Sequence, residues 1–350
     1  MEETSRFNRK ITKTIFISLL MLAGFALLIF QINFFLLVFA GVFFGVLLHA
    51  AADWLTRKLK LKYGLSLVIV LLLIVGVLVG MIMFVGPSIS EQVNQMVDTL
   101  PQSIKNLKEK ITQTALGQKL FDEIPDNPQD LLGNRKEVVS KVVGSFSTTV
   151  GAFANLLIIL ITGIFLASDP GTYKNGFIRL FPLTFRPRLS EVLDKTYDTL
   201  SLWMMAKLIS MAVVGVSTAI GLRLLGIPLP YALALIAALF SFIPNIGPYL
   251  ALAPALLIAF MEGTDKALYV VILYFGIQII ESYLITPLIE KKMVALPPAL
   301  TLLWMVIIGT LTGILGLILA APILAALIVI ISELYVKDFL ERGNKIKMAE

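Results

Sequence analysis

One carboxylate, Glu281, lies inside a long apolar run of the sequence, about eight residues from the nearer end of the segment Ala267–Ile289. Tyr274, Gln278 and Glu281 follow at i, i+4 and i+7, a spacing that places them on one face of a helix. An ionised carboxylate in hydrocarbon costs at least about 2.5–3.5 kcal/mol, so this face should point toward protein or water. Glu281 therefore either makes a helix-packing hydrogen bond or ion pair, or lines a pathway and binds a cation, a proton or a polar solute.

Polar residues also stand where two apolar segments are interrupted. Asn245 lies in the run 244–248, in which two prolines remove backbone N–H donors and leave carbonyl groups without their usual helical partners. Its side-chain amide can donate and accept there, so Asn245 is either a ligand contact or a residue that only shapes the turn. Thr310 and Thr312 hold the equivalent positions at the second interruption.

Composition indicates the kind of protein that positions these residues. Of the 350 residues, 58% are hydrophobic and 15% are charged, and the mean hydropathy is +0.90. Soluble domains are about 45–50% apolar and about 25% charged, so this much apolar surface cannot be buried in a soluble core of this size. The sequence therefore predicts an integral membrane protein, surrounded by the lipid bilayer.

Residue counts exclude several kinds of chemistry. The chain has no cysteine and one histidine, His49, which excludes disulfides, thiolate nucleophiles, iron–sulfur clusters and multi-histidine sites. Walker A and GxGxxG motifs are absent, and no His/Asp/Glu cluster has metal-ligand spacing. We therefore expect no enzymatic activity, cofactor or bound metal. The net charge of +6 is interpreted as membrane orientation rather than nucleic-acid binding.

Eight hydrophobic segments are candidates for membrane spans, which need about 20 mostly apolar residues each. They are Ile11–Phe30, Phe34–Ala52, Gly64–Val85, Val150–Ala167, Leu202–Leu225, Tyr231–Met261, Ala267–Ile289 and Ala299–Leu334. The predicted fold class is an all-α polytopic membrane protein. Trp54, Trp203 and Trp304 lie near predicted segment ends and are expected to anchor the protein at the membrane interface.

Lysine and arginine residues predict the orientation of these segments. They flank the first segment and the loop between the second and third, at Arg6, Arg9, Lys10, Lys13, Arg57, Lys58, Lys60 and Lys62. Both flanks should be cytoplasmic, as should both termini, and residues 87–148 then form an extracytoplasmic insertion. Apolar residues recur there at intervals of 3 and 4 from Ile89 to Ile111, which predicts an amphipathic helix. This helix packs on its own protein, or forms an interface with a neighbouring subunit or with lipid headgroups.

Two segments, Tyr231–Met261 and Ala299–Leu334, are too long for simple spans, since thirty residues make about 45 Å of helix against a hydrocarbon core of about 30 Å. The residues expected to break helices are Pro244, Gly247, Pro248, Pro287, Gly309, Gly313, Gly316 and Pro322. Unpaired backbone at membrane depth is tolerated only inside protein or along a wet cavity, and it often marks a transporter binding site. We interpret both segments as re-entrant helical hairpins, which also keeps Lys291 and Lys292 cytoplasmic. The alternative is two kinked or tilted helices that only pack.

Three stretches of the sequence carry a resemblance to a known family. They are LLGIPLPYALALIAALFSFIPNIGPYLALAPALLIAF (Leu224–Phe260), IQIIESYLITPLI (Ile277–Ile289) and LPPALTLLWMVIIGTLTGILGLILAAPI (Leu296–Ile323). Their order and spacing resemble the autoinducer-2 exporter family of bacterial membrane transporters. The resemblance implies homo-oligomeric proteins that export small molecules, with some relatives credited with Na⁺/H⁺ exchange. One departure is Ala206-Lys207, where the family often has Gly-Gln.

These observations favour a secondary transporter in the bacterial cytoplasmic membrane that exports a small polar molecule such as autoinducer-2. The first alternative is a Na⁺(Li⁺)/H⁺ antiporter that uses Glu281, and the second is a structural or signalling membrane protein that transports nothing. The chain divides into a three-span region (1–86), the insertion (87–148), a fourth span with a cytoplasmic linker (149–200), a transport core (201–336) and a tail (337–350).

Lys207 and Glu281 should lie at similar depth if the hairpin arrangement is correct, about 9 Å and about 12 Å from the cytoplasmic ends of their helices. They are then expected either to pair, which relieves the cost of burying each charge alone, or to stay apart with Lys207 reaching toward the interface. If each broken segment crosses the membrane once, the two charges lie near opposite faces and cannot pair.

Overall fold

The computed structural model describes residues 30–77, 79, 80, 83, 149–285 and 296–341, and within these ranges the regular structure is helical throughout. The helices are α1 (Ile32–Leu59), α2 (Tyr63–Val77), α3 (Thr149–Ser168), α4 (Pro170–Arg179), α5 (Arg186–Leu224), α6 (Pro230–Phe240), α7 (Gly247–Glu262), α8 (Thr264–Ile280), α9 (Pro298–Thr312) and α10 (Ile314–Ile331). A π-helical turn, Glu281–Ile285, follows α8, and another, Ser332–Leu340, follows α10.

Four helical stretches in the described residues are long and apolar enough to cross a membrane. They are Ile32–Leu59, Arg186–Leu224, Thr264–Tyr283 and Ile314–Leu340. A fifth is counted if α3 and α4, which meet at a bend of 92°, form one span. The chain is therefore an all-α polytopic membrane protein. Most of the first predicted span, the whole insertion (87–148), Pro287, Lys291, Lys292 and the end of the tail lie outside the described residues.

The bend after α3 is produced by a helix cap. Asp169 precedes α4, and its carboxylate accepts hydrogen bonds from the backbone N–H of Thr172 at 3.1 Å and from the Thr172 hydroxyl at 2.6 Å. Pro170 occupies the first helical turn, where its missing N–H is not needed. The Thr172 hydroxyl, followed by its backbone N–H, lowers the pKa of the Asp169 carboxyl below its ordinary value. A new helix direction is thereby fixed directly after the fourth span.

The segment Tyr231–Met261 folds as two helices, α6 and α7, that pack side by side. Leu233 and Ala237 of α6 share one apolar cluster with Ala251 and Ala255 of α7, a pairing typical of antiparallel helices joined by a short turn. A Cβ atom at Gly247 would overlap the carbonyl oxygen of Phe240, so only glycine allows this close approach. With 11 and 16 residues, the two arms are about 16 Å and about 24 Å long.

The segment Ala299–Leu334 also folds as a helix pair, α9 and α10, with its break at Gly313. That glycine has φ of 73° and ψ of −150°, a conformation that residues with a Cβ rarely adopt. Met305 and Ile308 of α9 pack against Ala320 of α10, as in an antiparallel hairpin. Both broken segments are therefore helical hairpins in form. The alternative of two kinked or tilted helices is wrong, because each segment folds back on itself; that the hairpins do more than pack stays a prediction.

Three of the residues expected to break a helix lie within helices instead. Gly309 is in α9 and faces the side chain of Leu317, while Gly316 is in α10 and faces the side chains of Ile308 and Thr312. Pro322 is buried inside α10, which continues to Ile331. The expectation of a break at Pro322 is wrong, because surrounding helices bury this proline and the turn tolerates one missing hydrogen bond.

Two of the three tryptophans are not interface anchors. Trp203 is only 6% exposed and lies between Phe43 and Phe242, with ring centroids 5.9 Å and 5.7 Å away. Trp304 packs beside the apolar cluster of the second hairpin, with its indole nitrogen buried. Trp54 is half exposed, with Lys58 over its ring, as expected for an anchor. The nearness of Trp203 and Trp304 to predicted segment ends was misleading, because α5 and the α9–α10 hairpin bury these two rings against other helices.

A charged network joins the polar beginning of α5 to the end of α10. The buried carboxylate of Glu333 accepts hydrogen bonds from Arg188 at 2.9 Å, Lys195 at 2.9 Å and Lys337 at 2.6 Å. Glu191 bridges Lys195 and Arg188, because its carboxylate accepts a hydrogen bond from each. Helix α5 continues without interruption across position 201, the predicted start of the transport core. The network therefore fixes the helix that carries Lys207 against the long arm of the second hairpin.

Candidate transport site

Glu281 is buried, with 6% of its surface exposed, and two residues of α5 face it. The ammonium nitrogen of Lys207 lies 3.6 Å from Glu281 Oε1. The hydroxyl of Ser210 donates a hydrogen bond to the same oxygen. The prediction that Lys207 and Glu281 pair is therefore confirmed. Because each charge compensates the other, the pair lowers the cost of holding either one at this depth.

Helix geometry brings these residues together. Lys207 and Ser210 are three residues apart on α5, so they project from neighbouring positions on one face. Glu281 is the first residue of the π-helical turn that follows α8. The wider π turn is rare and is frequently found at functional sites, because it re-aims side chains relative to a regular helix. Its position at the intramembrane carboxylate fits this pattern.

Helices α5 and α8 run antiparallel along this contact. Gly221 lies against the side chain of Leu273, and Lys266 at the start of α8 donates to the carbonyl of Gly226 just beyond α5, at 3.3 Å. The contact between Lys207 and Glu281 lies at the other end of the same antiparallel helix pair. The antiparallel packing places Lys207 and Glu281 at the same depth. The hairpin arrangement predicts this depth, whereas a single crossing by each broken segment would place the two charges near opposite faces of the membrane.

The turn of the first hairpin lies at the same level of α5. Phe242, in the turn between α6 and α7, packs edge-on against Trp203, one helical turn before Lys207. Ile243, the next residue, is buried against Met305, Ile308 and Ala320 of the second hairpin. The first turn therefore contacts the second hairpin and lies within one turn of the charged pair, the arrangement of broken helices expected around a transported solute.

The other residues of the predicted polar face have different surroundings. Tyr274 is 6% exposed, and its hydroxyl has no hydrogen-bond partner in the part of the chain that the structure describes. Gln278 is half-buried and donates to the hydroxyl of Ser282 at 3.0 Å. Of the three residues on this face, Glu281 is the one that contacts α5 through an ion pair.

The polar residues at the helix breaks are not hydrogen-bonded to the charged pair. Asn245 is exposed at the first turn in a left-handed conformation, with φ of 63°, which asparagine tolerates better than most residues. The hydroxyls of Thr310 and Thr312 donate to carbonyls of their own helix, at Ile307 and Ile308. Their roles in contacting a solute stay predictions.

The sequence comparison decides the family. The model of the AI-2E family of transporters matches residues 15–336. The chain belongs to the AI-2E family. Its relatives include the putative transport protein YueF of Bacillus subtilis strain 168, 27% identical over 277 residues that cover 76% of this chain and 75% of the relative. They also include YrrI of the same organism, 26% identical with 82% of each chain covered. YhhT of Escherichia coli K12 is 23% identical, with coverage of 81% and 80%.

Ser210 and Thr218 are the polar residues of this AI-2E chain that sequence reasoning missed. Ser210 is 6% exposed and Thr218 is 1% exposed, and both lie on α5. A usable signal existed, because Ser210, Val214, Thr218 and Leu222 follow at intervals of four and therefore share one helix face. Small hydroxyl residues are common in membrane helices, and nothing in their spacing identifies the neighbouring helix.

Proposed function

We propose that this AI-2E family protein is a secondary transporter that moves a small polar solute outward across the bacterial cytoplasmic membrane, with both termini on the cytoplasmic side. The observation that carries the proposal is the buried Lys207–Glu281 pair beside the turn of the first hairpin. A scaffold protein would gain nothing from buried charges next to broken helices, whereas a solute site needs polar groups at membrane depth.

The charge of the site favours a solute without net charge. Lys207 and Glu281 together carry no net charge, so a bound cation would be opposed by the ammonium group and a bound anion by the carboxylate. A molecule with both hydrogen-bond donors and acceptors can contact the two groups without separating them. Autoinducer-2, a small polar signalling molecule in quorum sensing, and related metabolites fit this description.

The rival function is Na⁺(Li⁺)/H⁺ antiport, which the intramembrane position of Glu281 favours. A cation bound at Glu281 would lie close to the Lys207 ammonium, which is 3.6 Å from Oε1, and the two positive charges would repel each other. That repulsion makes the antiporter the second choice. Homo-oligomeric assembly, which the family resemblance implies, belongs to the same proposal.

A flux measurement in proteoliposomes distinguishes these functions. The purified protein is reconstituted, and efflux of autoinducer-2 is followed with no ion gradient, with a Na⁺ gradient and with a pH gradient. We expect protein-dependent efflux of the polar solute. Proton release driven by Na⁺ or Li⁺ in the absence of any solute flux would instead establish the antiporter, and the exporter proposal would be abandoned.

A further inference from the structure

Two hydroxyl groups, one on α5 and one on α8, are buried without a hydrogen-bond partner in the part of the chain that the structure describes. We call the interface between these helices the α5–α8 seam, formed by residues 207–222 and 270–281. Thr218 Oγ1 and Tyr274 OH have no partner among the described residues, and the two side chains are 1% and 6% exposed. A buried polar group without a partner destabilises the fold, because the water that it loses is not replaced. A threonine in a helix can avoid this cost by bonding to the carbonyl four residues before it, and Thr218 does not.

The two hydroxyls face the same apolar cluster. Thr218 lies midway between Val214 and Leu222 on one face of α5, and these two neighbours belong to the cluster that contains Tyr274. Helices α6 and α7 also belong to this cluster, and α7 contributes small side chains, Ala251 and Ala255. The two hydroxyls are therefore polar groups in apolar surroundings between α5, α8 and the first hairpin.

Glu281 offers a further acceptor on the same seam. Lys207 and Ser210 both contact Oε1, and Oε2 is the second acceptor oxygen of the carboxylate. Tyr274 precedes Glu281 by seven residues, so the two positions are about 10 Å apart along the helix.

We propose that the α5–α8 seam contains two successive binding stations for an uncharged, polyhydroxylated solute. At the first station, Glu281 Oε2 accepts a hydrogen bond from a solute hydroxyl. At the second, Thr218 and Tyr274 donate to solute hydroxyls and accept from them, since each hydroxyl can do both. A charged solute gains no counter-charge at the second station. This inference rests on the proposed function and extends it by naming the solute class and a second contact point.

The experiment compares flux with stability in variants that remove one hydroxyl each. Thr218→Val and Tyr274→Phe keep the shape of the side chain. Thr56→Val is the matched control, because Thr56 on α1 also has a buried hydroxyl without a partner in the described residues. Efflux of radiolabelled erythritol, a four-carbon polyol, is measured from proteoliposomes, and the melting temperature is measured in detergent.

We expect both seam variants to lower erythritol efflux at least fivefold while their melting temperatures stay unchanged or rise, because an unpartnered buried polar group has been removed. The control should gain stability in the same way and keep wild-type flux. Wild-type flux in both seam variants would refute the proposal that these hydroxyls bind the solute. A lower melting temperature in both would also overturn them, since it would show that the hydroxyls hold a structural partner such as a bound water.

Two results in the wild-type protein separate this inference from the proposed function. Transport of a charged solute without any transport of erythritol would refute the polyol class while leaving the transporter intact. Absence of every solute flux, with Na⁺- or Li⁺-driven proton release, would refute the proposed function itself and the two stations with it.

Discussion

At the scale of single residues, the Lys207–Glu281 pair is the feature most sensitive to substitution. Removing one partner of a buried pair leaves the other charge uncompensated, whereas replacing both with uncharged groups is often mild. Ser210 adds a hydrogen bond to the same carboxylate oxygen, so part of the interaction survives without Lys207. Removal of Glu281 leaves the Lys207 ammonium, which can reach toward the interface, whereas removal of Lys207 leaves the buried Glu281 carboxylate with its hydrogen bond from Ser210.

A double-mutant cycle tests whether the two residues interact. Melting temperatures in detergent are compared for Lys207→Met, Glu281→Gln and the double variant. We expect each single change to destabilise the protein and the double change to cost less than their sum, by about 0.5–3 kcal/mol. Additive effects would show that the pair does not stabilise the fold.

Sequence reasoning identified Glu281 because a carboxylate in an apolar segment is costly and therefore informative. It also predicted Lys207 as a partner, since depth along two helices can be counted from the sequence. Ser210 could not be identified in this way, because a serine in a membrane helix can bond to its own backbone. The selection of Oε1 over Oε2 depends on side-chain rotamers that no sequence pattern specifies.

At the scale of elements, the two hairpins follow from the length of the apolar segments and from the residues at their turns. The break at Gly313 and the break around Pro244 and Asn245 were predictable, because glycine and proline interrupt helical hydrogen bonding there. Pro322 has the same chemistry and does not break α10, since packing on all sides compensates for one lost bond. The π turn at Glu281 has no recognisable sequence signal.

The prediction for the helical hairpins concerns Gly247, at the start of α7. Gly247→Ala should lower the melting temperature by the equivalent of about 1–3 kcal/mol, because the new methyl group would overlap the carbonyl of Phe240. Gly76→Ala on α2 is the control, because a Cβ there meets no atom within 4 Å. That change should be neutral or mildly stabilising, as alanine is the better helix former. Equal effects at the two glycines would contradict the tight α6–α7 turn.

At the scale of the whole molecule, the hairpins determine which loops face the cytoplasm. Because α8 lies in a stretch long enough to cross a membrane, we predict that Glu262–Lys266 and Lys291 lie on opposite sides, with Lys291 cytoplasmic. A cysteine-free chain makes the test direct. Thr264→Cys should react with an impermeant maleimide added outside the cell, and Lys291→Cys should react only after the cytoplasm is opened. The reverse pattern would contradict the re-entrant topology.

The most direct test of the central claim is efflux of autoinducer-2 from proteoliposomes containing either wild-type protein or Glu281→Gln. Glutamine keeps the shape and hydrogen bonding of the side chain while removing the charge, so the variant should insert and assemble. Glu191→Gln, in the exposed part of the charged network at the start of α5, is the matched control. We expect wild-type and control proteins to transport the solute and Glu281→Gln to lose at least about tenfold of the rate, equivalent to about 1.4 kcal/mol. Wild-type efflux in Glu281→Gln, at equal reconstitution, would contradict the account and leave Glu281 as a packing residue.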